Sequence, residues 1–173
     1  MIFSSSSTIY GEPDLIPTPK DFGPLKPISI YGASKLACEA LLSSFCQSYG
    51  FKTLNFRFAN VIGSRSRHGV IVDFINKLHM NNNKLEILGD GKHSKSYIHV
   101  GDCVKGFFTA LSKSTDKLDI FNVGNDDKID VMLIAQTLCR NMGLQNAKLI
   151  PTGGTRDGGG WVGDVKTMQL KRS

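Results

Sequence analysis

A phenol, an amine and a run of alcohols are the side chains in this 173-residue sequence whose spacing could do chemistry. Tyr31 and Lys35 stand four apart at the head of an apolar-periodic stretch, so on a helix both side chains leave the same face. Upstream lies Ser4-Ser5-Ser6-Ser7-Thr8, followed by Ile9-Tyr10-Gly11. A phenol is a poor base near neutral pH, and an ammonium held one helical turn away favours the phenolate. A serine hydroxyl that hydrogen-bonds the same substrate oxygen completes a proton-transfer site. A bare Tyr-x-x-x-Lys spacing occurs on many ordinary helices, with the tyrosine a capping aromatic and the lysine a surface cation. The hydroxyl cluster makes the arrangement specific.

Together, the serine run ending in Tyr10-Gly11 and the later Tyr31-Gly32-Ala33-Ser34-Lys35 resemble the extended short-chain dehydrogenase/reductase superfamily. The likeness is to its NAD-dependent epimerase/dehydratase branch, where Ser-Ser-x-x-x-Tyr-Gly precedes Tyr-Gly-x-Ser-Lys, and within it to the UDP-sugar 4-epimerases. It runs to about Trp161. Matched on Tyr10-Gly11, the resemblance implies Ser6 as the catalytic hydroxyl, with Ser5 as the alternative, and Tyr31 as general acid/base. Lys35 would both anchor the ribose of NAD and favour the phenolate, and Phe58 joins Tyr31 and Lys35 among the cofactor-binding residues. In such enzymes NAD takes a hydride from the sugar C4 while the tyrosine takes the hydroxyl proton, and hydride then returns to the other face of the 4-keto sugar.

The same resemblance assigns the substrate. Arg57-Phe58-Ala59-Asn60 resembles a segment whose asparagine contacts the nucleotide-sugar phosphates, which implies that role for Asn60. Val70 and Ile71 match backbone that receives the nucleotide, and Glu86 falls on a strand at the uridine edge. Lys95 stands where an arginine often binds phosphate, a point charge in place of a bidentate fork. Arg156 matches a second phosphate-binding arginine, and Trp161 a side chain limiting sugar size. Relatives that eliminate water carry acids in the positions of Ser7 and Thr8, and related decarboxylases a glutamate at Thr8. With neither acid present, epimerisation is favoured over elimination. A dehydratase, or a binding or assembly module without redox chemistry, is the alternative.

These residues need a scaffold, and the sequence outlines one. With 40% hydrophobic residues, it can bury a core. The apolar runs are too short to cross a bilayer, and Met1-Ile2-Phe3 leads into serines without a signal-peptide pattern. Cys38, Cys46, Cys103 and Cys139 form no C-x-x-C pair, which suits reduced thiols in the cytoplasm. The net charge of +6 comes without a dense basic block or zinc-finger spacing, so small anionic ligands are expected before nucleic acid. The four histidines lack metal-ligand spacing, and no metal is expected.

Periodicity predicts strands near 1–5, 51–58, 85–88, 97–100, 118–123 and 148–151, and helices over 31–49, 70–80, 102–112 and 131–142. Along the first helix Leu36, Ala37, Ala40, Leu41, Ser44 and Phe45 are expected to form the buried stripe, with Gly50 as its C-terminal cap. Asp102 is expected to cap the third helix, and His99 to order the turn before it. Residues 11–27, rich in proline, read as a surface loop. The alternation implies an α/β fold with a mainly parallel sheet. No Gly-x-x-Gly-x-x-Gly turn for a pyrophosphate opens the chain. The resemblance therefore implies the second half of a Rossmann-like sheet plus a small mixed α/β substrate domain. Residues 1–63 and 99–125 would form a partial NAD domain, and 64–98 and 126–173 a nucleotide-sugar domain cut short at its C-terminus. A homodimer, or a complementing N-terminal half, would be the partner.

Overall fold

The computed structural model describes residues 1–15, 17–125 and 127–153, which divide into two compact units. The first comprises Met1–Gly63 and Ser96–Lys128. Its centre is a parallel sheet of β1 (Ile2–Ser6), β2 (Thr53–Phe58) and β7 (Leu118–Val123), in the order β1-β2-β7. A parallel strand covered on both faces needs no polar side, and β2 is buried along nearly its whole length. Leu54 and Phe56 point into a cluster with Ile98, Cys103 and Val123, and Phe58, Phe107, Ala110 and Phe121 pack around it. Phe56 anchors this face, with its ring centroid 5.0 Å from that of Phe107 and 5.4 Å from that of Phe121. The opposite face of β2 carries Thr53, Asn55 and Arg57, all buried although polar.

That polar face meets α1 (Ile30–Tyr49), which starts on a Ser29 cap and ends at Gly50 in the left-handed conformation, as expected. The expected apolar stripe is not the buried one. Gly32, Glu39 and Cys46 are the helix's buried residues, while Leu41 and Phe45 are exposed. Counting hydrophobic residues misplaced the face because one of the helix's buried side chains is a carboxylate that pairs with the sheet.

The unit is completed by β3 (Asn60–Ile62) pairing in parallel with β6 (Tyr97–His99), and by α3 (Val100–Lys113). Here too the cap differs from expectation. His99 Nδ1 accepts the Gly101 N–H at 3.1 Å, so His99 both orders the turn and caps the helix, while Asp102 lies within the first turn and pairs with Lys105.

The second unit comprises Ser64–Lys95 with 129–153. In it α2 (Val70–Met80) packs on β4 (Lys84–Ile87) and on α4 (Val131–Asn141), and β4 pairs in parallel with β9 (Lys148–Pro151). Its buried residues include Phe74, Leu78, Leu85, Ile87, Ile134 and Ala135. Two short strands, β5 (Ser94–Lys95) and β8 (Ile129–Asp130), pair antiparallel. Asp130 caps α4 by accepting the Leu133 N–H at 2.6 Å. No helix among the described residues is long and apolar enough to cross a membrane.

Candidate active site

In parallel α/β sheets, ligands gather at the C-terminal ends of the strands. At that end of the first unit, Ser6 of β1 stands in register with Phe58 of β2, and Phe58 with Val123 of β7. Beyond Ser6 the chain winds into one tight helical turn, Ser7–Tyr10, buried throughout. Ser6 caps that turn: its Oγ accepts the Thr8 N–H at 3.3 Å and the Thr8 hydroxyl at 3.0 Å. The turn closes on Gly11 at φ +66, where a Cβ would fall 1.9 Å from the Lys26 carbonyl oxygen, so conformation and space both require glycine.

The turn is held from below by Tyr10. Its Oη donates to Asn122 Oδ1 at 2.7 Å and accepts from Arg57 Nη1 at 2.7 Å. Burial pushes this phenol above its ordinary range against the pull of the Arg57 charge, so it stays protonated and keeps donating. Arg57 also grips the Glu39 carboxylate, with Nε at 3.1 and 3.2 Å from its two oxygens and Nη2 at 2.7 Å from Oε2. Both residues are buried, at 3% and 5% exposure. Burial would favour the neutral guanidine, but the hydrogen bonds and charge of Glu39 outweigh it and hold Arg57 cationic.

The opening of α1 lies directly against the turn. Ser29 Oγ accepts the Gly32 N–H at 3.0 Å, and a Cβ on Gly32 would sit 2.7 Å from the Thr8 carbonyl oxygen. Beside Gly32, Tyr31 is 55% exposed, so its ring is open to a ligand. Lys35, one turn on, donates from Nζ to the Ser4 carbonyl at 2.8 Å. The same ammonium lies 5.6 Å from the Tyr31 ring centroid and 5.1 Å from that of Phe3. Tyr31, Lys35 and Glu39 thus form one stripe of α1, the first open, the second tied to β1 and the third tied to β2. Lys35 is brought to Tyr31, and the helix start to the turn that Ser6 caps.

The other expected residues divide between the units. Phe58 stacks against Phe56 with ring centroids 6.1 Å apart and packs on the core. Asn60 on β3 spends one amide hydrogen on the Ser96 carbonyl at 3.0 Å. In the second unit, Val70 and Ile71 begin α2 after Gly69 at φ +101, a start without a side-chain cap, so their N–H groups have no partner within the helix. Glu86 is exposed on β4 with Lys84 Nζ 3.2 Å from its carboxylate, and half-buried Lys95 stands opposite Ile129. Arg156 and Trp161 lie outside the described residues. Glu39 and Tyr10 had no place among the expected functional residues. The signal for Glu39 was its spacing, four after Lys35 and eight after Tyr31, together with a lone charged residue, Arg57, in an otherwise uncharged strand.

The model of the NAD dependent epimerase/dehydratase family matches residues 1–124. The uncharacterized UDP-glucose epimerase YtcB of Bacillus subtilis is 31% identical over 137 residues, covering 79% of this chain and 43% of that protein. A crystal structure of a UDP-galactose 4-epimerase is 40% identical with a TM-score of 0.78, covering 90% of this chain and 51% of that one. A UDP-glucose 4-epimerase from Thermotoga maritima, solved with UDP-glucose, superimposes with a TM-score of 0.81 at 28% identity, covering 98% of this chain and 54% of that one. The chain therefore spans about half the length of the proteins it matches, and the cofactor of the matching family is NAD.

Proposed function

The chain belongs to the NAD-dependent epimerase/dehydratase family, and on that premise we propose that it carries the proton-transfer residues of a nucleotide-sugar 4-epimerase of the UDP-glucose/UDP-galactose type. The observation that carries this reading is the open Tyr31 ring beside a Lys35 fastened to β1, at the strand ends where Ser6 also stands. The donor set suits a nicotinamide ribose: an ammonium and a phenol on one helix stripe, next to a strand terminus. NAD, when bound, supplies the hydride acceptor and donor. Tyr31 takes the proton of the sugar hydroxyl, Lys35 holds the ribose and favours the phenolate, and Ser6 hydrogen-bonds the same sugar oxygen. Phe58, at the end of β2, backs the cofactor.

The first unit is assigned the cofactor and the second the nucleotide, with Val70, Ile71, Glu86 and Lys95 as its contacts and Asn60, Arg156 and Trp161 completing the sugar-phosphate set. Thr8 supports epimerisation over elimination, since its hydroxyl offers no carboxyl group for loss of water. Free Cys46, Cys103 and Cys139, all buried, fit a cytoplasmic setting. Leu41, Phe45 and Tyr49, exposed along α1, support assembly as a homodimer.

The experiment is turnover of UDP-galactose to UDP-glucose by the purified chain with added NAD, alongside calorimetric titration with UDP and with NAD. Conversion with binding of both ligands is expected. Binding of UDP without NAD and without turnover would make the chain a binding module instead.

A further inference from the structure

Four consecutive serines and a threonine line the end of β1, yet one hydroxyl is set apart by its partners. Ser6 Oγ accepts twice from the same residue, from the Thr8 N–H at 3.3 Å and from the Thr8 hydroxyl at 3.0 Å. A serine oxygen has two lone pairs and one hydrogen. With both lone pairs engaged, Ser6 has only its own hydrogen left to offer. Among the described residues no acceptor takes it.

Thr8 is also the residue on which the helix of Tyr31 rests, since a Cβ at Gly32 would lie 2.7 Å from the Thr8 carbonyl oxygen. It has no freedom to turn away. Thr8 is 8% exposed, and the turn containing it is pinned through Tyr10 to Asn122 and Arg57.

We propose that Thr8 is a positioning residue that fixes Ser6 as a hydrogen-bond donor, so that the Ser6 hydrogen points to the sugar oxygen whose proton Tyr31 removes. This rests on the epimerase reading above and deepens it. As Tyr31 takes the hydroxyl proton, negative charge grows on the sugar oxygen, and a donor already aimed there stabilises it without reorienting. A Ser6 hydroxyl free to rotate would spend part of its time as an acceptor, which opposes that charge. Thr8 thus acts through Ser6.

Two variants of the full chain separate the hydroxyl from the packing around it. Thr8→Val keeps the shape and removes the donor, and Thr8→Ser keeps the donor and removes a methyl group. Losing one neutral hydrogen bond should lower kcat for UDP-galactose about tenfold in Thr8→Val, with KM unchanged and with Thr8→Ser close to wild type. Equal activity in Thr8→Val, or equal loss in both variants, would overturn the proposal. Neutron diffraction from deuterium-exchanged crystals of the wild-type chain gives a readout independent of turnover. The deuteron between the two oxygens should be bonded to Thr8, and one bonded to Ser6 and aimed at Thr8 would overturn the proposal. A chain that turns over no sugar nucleotide defeats the epimerase reading, while the deuteron still decides which hydroxyl donates.

Discussion

In the proposed reaction Lys35 would hold the ribose and favour the phenolate, and these two roles predict one coupled loss. Its Nζ is fixed by the Ser4 carbonyl at 2.8 Å while its charge lies beside the Tyr31 ring. Lys35→Met should therefore weaken retention of NAD and lower kcat together, measured as cofactor released on denaturation and as turnover of the same preparation. Tyr10, by contrast, should be read through stability. Burial raises its phenol above the ordinary value of about 10, so the folded state holds its proton more tightly than the unfolded chain does. Stability from that group is fully present below the unfolded value and is lost as pH rises through the folded one. Denaturant unfolding should show stability falling as pH rises above about 10, and Tyr10→Phe should flatten that fall in part, because half-buried Tyr97 is shifted the same way.

At the scale of elements, α1 is held to the sheet by a buried ion pair. Removing one partner of such a pair leaves the other charged and uncompensated, so Glu39→Ala should cost about 3–5 kcal/mol, read from thermal or denaturant unfolding. The pair also shows where sequence reading stops. The ends of α1, the bounds of α2 and of β7, and the glycine at the end of α1 were all legible, because turn chemistry and apolar periodicity are local signals. The inward face of α1 was not. Periodicity assigns Leu41 and Phe45 to the interior, but they are exposed, and Glu39 is buried because Arg57 waits for it 18 residues away in sequence. A tertiary ion pair leaves no trace in helical spacing. The short strands β3, β5 and β8 escaped for a related reason: two or three residues carry too little alternation, and their pairing partners lie far along the chain. The motif residues fared differently. Tyr31 and Lys35 were legible because one helix holds both, and the resemblance supplied Ser6, while the Thr8 hydrogen bond that orients Ser6 became visible only with coordinates.

For the whole molecule, the proposed function gives the two units distinct tasks and assigns the proton transfer to the first. The chain spans about half the length of the proteins it matches, so the test is made on the chain itself. The central claim is that Tyr31, as its phenolate, accepts the sugar hydroxyl proton that leaves as hydride passes to NAD. It is tested most directly by adding UDP-galactose to the chain incubated with NAD and following the near-ultraviolet band of the reduced nicotinamide, for wild type and for Tyr31→Phe. The account predicts that the band rises in the wild type and that its rate falls roughly 10²–10⁴-fold in the variant. A band that rises equally fast in both proteins would contradict it.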